Sequence, residues 1–535
     1  MSIPLNLLTW LLATLPILVL LIMMVGFHWG AKKSAPWGLL IAVMIGYIFY
    51  KAPLELILFE GLKGIWSAFI VLLVVWPAIL LYEVVQHANA FVVIRRGLQK
   101  HSPNQLIQVL ALGWVFTSFL QGITGFGVPV AVGAPLLIGI GINPVSAVVI
   151  PLLGNAWAGT FGTLAVAWDA LVLQTGLSSE PALLAQTAFY AALLIWFWNV
   201  IIGISITWIY GGWRTVRKGW LAIVTISIIQ GGGQLLMVRF NTTLAAFIPS
   251  LVALFSIIGL SKTKRYSTAW NSSDSTTVLT ELDPKVSDEK QHNMTMLQAV
   301  FPYMFLTSIT LLILLFSPLK SLLNSFIFGF SFPQTMTGYG YINLPVSLFS
   351  PINPFTNAGF FLFSSAVAGF IYYFSKKWLS LQDGLSLVQK TNKKTVPSAI
   401  AVTCFIVMSR IMSGSGQTMI LAQGIAYGLG DIFGLISPLI GMLGAFMTSS
   451  NMASNILFGQ FQLTTAKLLG LNQAVILGAQ TTGGAIGTAI APGNIILGTT
   501  TAGIIGQEGL ILKKLLPITL FASLLIGLIL YFVLI

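Results

Sequence analysis

The sequence predicts an all-α polytopic membrane protein of about 12–14 spans, built as two inverted repeats with broken helices or re-entrant hairpins. Three observations predict it. Of 535 residues, 56% are hydrophobic and only 7% are charged, whereas a soluble domain carries about 25% charged residues. Apolar runs long enough to cross a bilayer recur along the chain, and short basic clusters separate them. Two stretches of similar pattern are apolar yet interrupted by Gly, Pro, Asn and Thr.

The runs fall at 5–27, 35–50, 64–83, 105–120, 186–211, 219–238, 243–260, 295–317, 357–375, 397–425, 432–450 and 515–535. The first lacks a charged leader and an A-x-A-like cleavage site, which favours a retained span over a removed signal peptide. The interrupted stretches are 121–170 and 451–505. A polar segment, 262–294, is the one soluble linker; it divides the chain into membrane halves 1–261 and 295–535. The segment 84–100 suits either an interfacial amphipathic helix or a plain connector.

Most of the 26 basic residues lie in clusters at 32–33, 95–100, 214–218, 262–290, 376–394 and 513–514. The positive-inside rule makes that side cytoplasmic, with the linker, and puts the N-terminus outside. The net charge of +13 is thus a topology signal rather than a nucleic-acid footprint. The single cysteine, Cys404, rules out an intrachain disulfide, and the four histidines lack metal-ligand spacing. No cofactor, metal or nucleic acid is expected. Ser413-Gly-Ser-Gly-Gln-Thr lacks a phosphate-loop lysine, and no strand precedes Gly122-x-x-Gly125-x-Gly127.

The interrupted stretches match each other in outline. Phe119-Leu-Gln-Gly-Ile-Thr-Gly-Phe-Gly, an Asn143 turn and Gly162-Thr163 are followed by Phe446-Met-Thr-Ser-Ser-Asn, an Asn472 turn and Gly487-Thr488. Six residues beyond each Gly-Thr stand Asp169 and Asn494. The flanking basic clusters run the two stretches in opposite senses, the pattern of an inverted repeat with a midplane site. Irregular backbone at that depth must be buried in protein or line a wet cavity. Breaks at Gly122, Thr124, Gly125 and Gly127, and at Ser449, Ser450, Asn451 and Asn455, would aim free N–H groups and a positive helix end at a carboxylate. Gln121, Asn155, Thr481 and Thr482 supply further polar groups. Close helix packing is the competing reading of each single glycine. Arg410, inside an apolar run, is either an anion's counter-ion or a snorkelling side chain. Asp169 is an ion-coupling candidate or an interfacial residue.

The residues 119–130 resemble the F-L-E-G-x-x-G-F-G-x-P-V signature of the lactate permease family. Residues 449–458 resemble its G-S-D-T-S-S-N-A-L-F, and 481–487 its T-T-G-G-V-T-G. The resemblance covers nearly the whole chain. It implies a bacterial plasma-membrane importer of L-lactate, D-lactate and glycolate, coupled to protons, with a small monocarboxylate, a coupling cation and the lipid bilayer as partners. Gln121 and Asn451 stand where the family has Glu and Asp, and Thr488 where it has Lys. Amides cannot carry a proton, so Asp169 or another acid, the substrate itself or another ion must serve. The alternatives are a Na⁺-coupled carrier of another organic anion, a membrane-embedded enzyme and a non-transporting subunit of a complex.

Overall fold

Apolar runs fold as helices because a backbone shielded from water must satisfy its own N–H and C=O groups. The computed structural model describes residues 3–27, 29–93, 103–125, 127–271 and 293–534. Among these, nine helices are long and apolar enough to cross a membrane, or up to eleven if each of two bent pairs forms one span. The shortfall from about 12–14 has a physical origin. The run Pro181–Met237 has 57 residues, about 85 Å of helix, long enough to cross a core of about 30 Å twice. Its backbone leaves helical angles at Gly211 and Gly212, between the two runs expected there. The run 243–260 became a shorter piece, Phe247–Ser261, and Val128–Ile138 in the interrupted stretch is also apolar but below spanning length. The run 397–425 is likewise split, by Gly416 at φ +85°.

Two 34-residue helices, Leu54–His87 and Leu381–Gly414, pack against each other, with Ala31–Ile48 and Ala358–Ser375 alongside. Large apolar side chains, such as Leu7, Phe69, Phe255 and Phe521, are exposed on the outside of the bundle, a surface that only lipid covers without penalty. Trp213 and Trp220, also exposed, flank Arg214, Arg217 and Lys218, as interfacial anchors do. Arg265 closes this corner by donating from Nε to the Lys218 carbonyl at 2.8 Å.

The expected long loop around 318–356 is more ordered than its composition suggests. It holds a short helix, Ser317–Asn324, and two small antiparallel ladders. Phe328–Phe332 pairs with Val346–Ile352, and Thr335–Met336 with Ile342–Asn343. Alternation in Phe328-Gly-Phe-Ser-Phe is the signal for the first ladder. The bundle is therefore all-α, with a small β cap. Of the expected linker, 272–292 lies outside the described residues, as do 94–100 of the amphipathic segment and His28, His101 and His292.

Candidate functional site

Both interrupted stretches break where the sequence places them, by different means. In the first, helix Gln105–Ile123 ends at Thr124, Gly125 and Gly127 take left-handed angles (φ +60° and +80°), and Val128–Ile138 begins. A Cβ on Gly125 would overlap Thr163 Oγ1, and one on Gly127 would stand 2.6 Å from Leu497. Glycine is required at both for angle and for space. Further on, Pro144–Ala156 runs into a single 3₁₀ turn, Trp157–Gly159. Thr163, Leu164 and Ala165 are then left-handed, and the axis bends by 52° into Gly162–Thr175. Three consecutive non-glycine residues in that region are strained, and burial on every side holds them there.

In the second stretch one residue makes the break. Phe433–Thr448 stops at Ser449, which is left-handed (φ +57°). Ser450 then caps Asn451–Leu469 by accepting from the Ala453 N–H at 3.4 Å. Asn472 caps Gln473–Gly487 in turn. Ser449 Oγ accepts from the Gly493 N–H at 3.0 Å, fixing the start of Pro492–Thr501 beside it.

The two stretches meet in a buried polar seam. Asn451 Nδ2 lies 3.2 Å from the Gly159 carbonyl, 3.1 Å from Thr160 Oγ1, and 3.0 and 3.4 Å from Thr481 O and Oγ1. One turn on, Asn455 Nδ2 donates to the Ala167 carbonyl and to Thr481 Oγ1, both at 2.9 Å. Beside the seam opens a cavity of about 490 Å³, counting its open mouth. Gln121, Ser449, Ser450, Thr488 and Asn494 are half-buried around its rim, and Asn155, Gly159, Thr163 and Asn451 are buried deeper. Its remaining walls are Gly127, Gly162, Val166, Ala167 and Met452.

Every one of these side chains is uncharged. The field in the cavity therefore comes from dipoles, chiefly the N-terminus of Asn451–Leu469. The N–H groups of Asn451 and Met452 lie in the first turn, before intrahelical acceptors exist, and that end of a helix favours an anion. On the same cavity wall, the Gln121 and Asn155 amides have no hydrogen-bond partner among the described residues. They are free to bind a polar group.

Of the residues singled out from the sequence, Gln121, Gly127, Asn155, Ser449, Ser450 and Asn451 line the cavity. Asn455 and Thr481 stand behind it in the seam. Gly125 supports it by admitting Thr163. Gly122 instead packs on the backbone of Phe247, and Thr124 and Thr482 donate to carbonyls of their own helices. Asp169 is exposed on Gly162–Thr175 and is not on the cavity wall. Arg410 is also elsewhere: its Nη2 is 3.1 Å from Glu60 Oε2, and Glu60 Oε1 accepts from Lys63 at 2.7 Å. Its guanidinium lies 4.9 Å from the Phe349 ring, under the β cap. Sequence reasoning passed over Thr163, Thr488 and Asn494 as site residues, although the repeated Gly-Thr pair and its six-residue spacing mark all three. Gly162 belongs to that Gly-Thr pair; Gly159, Val166, Ala167 and Met452 carried no signal beyond lying in the interrupted stretches.

Helices broken inside an apolar bundle, around a small polar cavity, are the construction of a membrane transporter. Over residues 9–535 the chain matches the family model described as L-lactate permease, and it belongs to that family. It is 27% identical over 521 residues to the L-lactate permease of Escherichia coli K12, covering 93% of this chain and 91% of that one. It is 25% identical to the L-lactate permease of Halalkalibacterium halodurans, covering 94% and 93%. The glycolate permease GlcA of Escherichia coli K12 is 24% identical, covering 97% and 94%. Among solved structures, the YdaH transporter of Alcanivorax borkumensis aligns with a TM-score of 0.43 and 14% identity, covering 88% and 87% of the two chains.

Proposed function

We propose that this chain is a secondary transporter, not an enzyme, that imports L-lactate and related 2-hydroxy monocarboxylates such as D-lactate and glycolate across a bacterial plasma membrane. The proposal keeps the N-terminus outside, the central linker cytoplasmic and the two halves as inverted repeats. One observation carries it: one cavity is lined by the N-terminus of Asn451–Leu469 and by two amides, Gln121 and Asn155, that have no hydrogen-bond partner among the described residues. The substrate carboxylate sits against the Asn451 and Met452 N–H groups and the Ser449 and Ser450 hydroxyls. Its 2-hydroxyl reaches the two amides, which both donate and accept.

The resemblance names the proton as coupling ion. With Gln121 and Asn451 in place of acids, and no titratable side chain on the cavity wall among the described residues, a proton can cross here only on the substrate, as the undissociated acid. A metal cation beside the carboxylate is the other way to neutralise it.

Counterflow of radiolabelled L-lactate, D-lactate, glycolate and propionate in proteoliposomes of the purified chain tests the reading. L-lactate should exchange fastest, and propionate, which lacks the hydroxyl, about tenfold less well, the equivalent of one lost hydrogen bond. Absence of counterflow with every acid would reduce the chain to a non-transporting subunit.

A further inference from the structure

The seam behind the cavity is richer in acceptors than hydrogen bonding alone can use. Asn451 Nδ2 carries two hydrogens but faces four oxygens at 3.0–3.4 Å: Gly159 O, Thr160 Oγ1, Thr481 O and Thr481 Oγ1. Asn455 Nδ2 adds a fifth, Ala167 O, and shares Thr481 Oγ1. Meanwhile the amide oxygens of both residues are buried and make no hydrogen bond, a costly arrangement in a membrane interior. Asn451 and Asn455 are 3% and 0% exposed, and Thr160 and Thr481 are 0%. As they stand, these oxygens meet neutral side-chain donors, the two amide NH₂ groups and the Thr160 hydroxyl, which donates to Thr481 O at 3.1 Å.

We propose that this seam is a binding site for a Na⁺-sized monovalent cation. A half-turn of the two amides brings both Oδ1 atoms to the five oxygens, giving up to seven ligands: two asparagine amide oxygens, two threonine hydroxyls and three main-chain carbonyls. Oxygen-only sets bind hard cations. The set contains no carboxylate, so a divalent charge would stay uncompensated in apolar surroundings. Thr160 Oγ1 lies 3.1 Å from both Thr481 oxygens, the edge of a shell of roughly 2.2–2.5 Å radius, which fits sodium and is tight for potassium. The backbone contributes as well. Gly159 ends the 3₁₀ turn after Pro144–Ala156, so the negative end of that helix points at the cation. Unwound carbonyls and half-helix C-termini hold coupling ions in this way. Asn451 belongs to both seam and cavity wall, so a cation here lies directly against a bound carboxylate and repays its burial. The coupling role rests on the transport reading; the binding chemistry does not.

The test is saturable ²²Na⁺ binding to the purified full chain, with lactate counterflow measured on the same preparation. Wild type should bind Na⁺, with displacement by Li⁺ and none by choline, and Na⁺ should raise lactate affinity about tenfold or more. Asn455→Ala and Thr160→Ala should weaken Na⁺ binding about tenfold or more; Thr160→Ser, which keeps the hydroxyl, should restore it and so guard against a folding artefact. Asn155→Ala should lose lactate affinity while Na⁺ binding stays. Intact counterflow in choline medium with no saturable ²²Na⁺ binding overturns the cation site and leaves transport standing. Saturable binding that Asn455→Ala removes, with no counterflow in any medium, supports the site and sinks the transport reading instead.

Discussion

The two interrupted stretches have the same order of parts. Each runs helix, break, helix, Asn-capped helix, 3₁₀ turn and a further helix: Gln105–Ile123 to Gly162–Thr175 in one, Phe433–Thr448 to Pro492–Thr501 in the other. Their chemistry differs. The first breaks its helices with glycines and with three left-handed residues, and it offers the seam main-chain carbonyls of Gly159 and Ala167. The second breaks at Ser449 alone and offers mainly side chains, Asn451, Asn455 and Thr481, with the one carbonyl of Thr481, as the first adds the one hydroxyl of Thr160. Carbonyls turned wholly away from a helix ladder need unwound backbone, and the first stretch distorts to supply them. Side-chain amides need only a helix face, since Asn451 and Asn455 are four apart and align on it. One half of the site is conformation and the other half is composition.

That division predicts where damage is greatest. Asn451→Ala and Asn455→Ala remove the side-chain half outright, and lactate uptake should fall about a hundredfold or more while the protein stays folded by size-exclusion profile. Near-normal uptake in both would take the seam out of the mechanism. Gly127→Ala and Gly125→Ala attack the conformational half. Each forces a Cβ into a left-handed position, about 1–2 kcal/mol, before the overlap with Leu497 or Thr163 is counted. Uptake and thermal stability should fall together; a loss of uptake with unchanged Tm would mean that these glycines act on substrate rather than on the break.

Arg410 lies outside both halves, and its expected effect is smaller and different in kind. Arg410→Gln leaves Glu60 with Lys63 alone, lowering stability by about 1–3 kcal/mol, with an unchanged half-saturation for lactate. A raised half-saturation at normal Tm would return Arg410 to substrate binding. The sequence located this charge inside an apolar run but could not name its partner, because Glu60 is remote in sequence and comes near only through packing of the two 34-residue helices. The same limit explains the seam. Ser449, Ser450, Asn451 and Gln121 were legible because breaks in apolar runs are visible residue by residue. Thr160 and Ala167 were not: their part depends on the left-handed bend at 163–165, and nothing in Thr-Leu-Ala prefers that region. The β cap was missed for a further reason, since short aromatic strands between spans read as loop when hydropathy is the only guide.

The smallest effect belongs to Ser449, where conformation and composition meet in one residue. Its left-handed angle costs about 1 kcal/mol relative to glycine, and its hydroxyl returns about as much by accepting from the Gly493 N–H. Ser449→Gly relieves the first and loses the second, with an added entropy cost of about 0.5–1 kcal/mol. Its stability should therefore stay within about 1 kcal/mol of wild type. Ser449→Ala keeps the strain and still loses the hydroxyl, so it should melt at a lower temperature than Ser449→Gly. Both should raise the half-saturation for lactate only a few-fold, because the Ser450 hydroxyl and the Asn451 and Met452 N–H groups remain. A Ser449→Gly variant that melts below Ser449→Ala would show that the second break carries no strain beyond the entropy cost of glycine. Its contrast with Gly125 and Gly127 would then be one of side-chain chemistry alone.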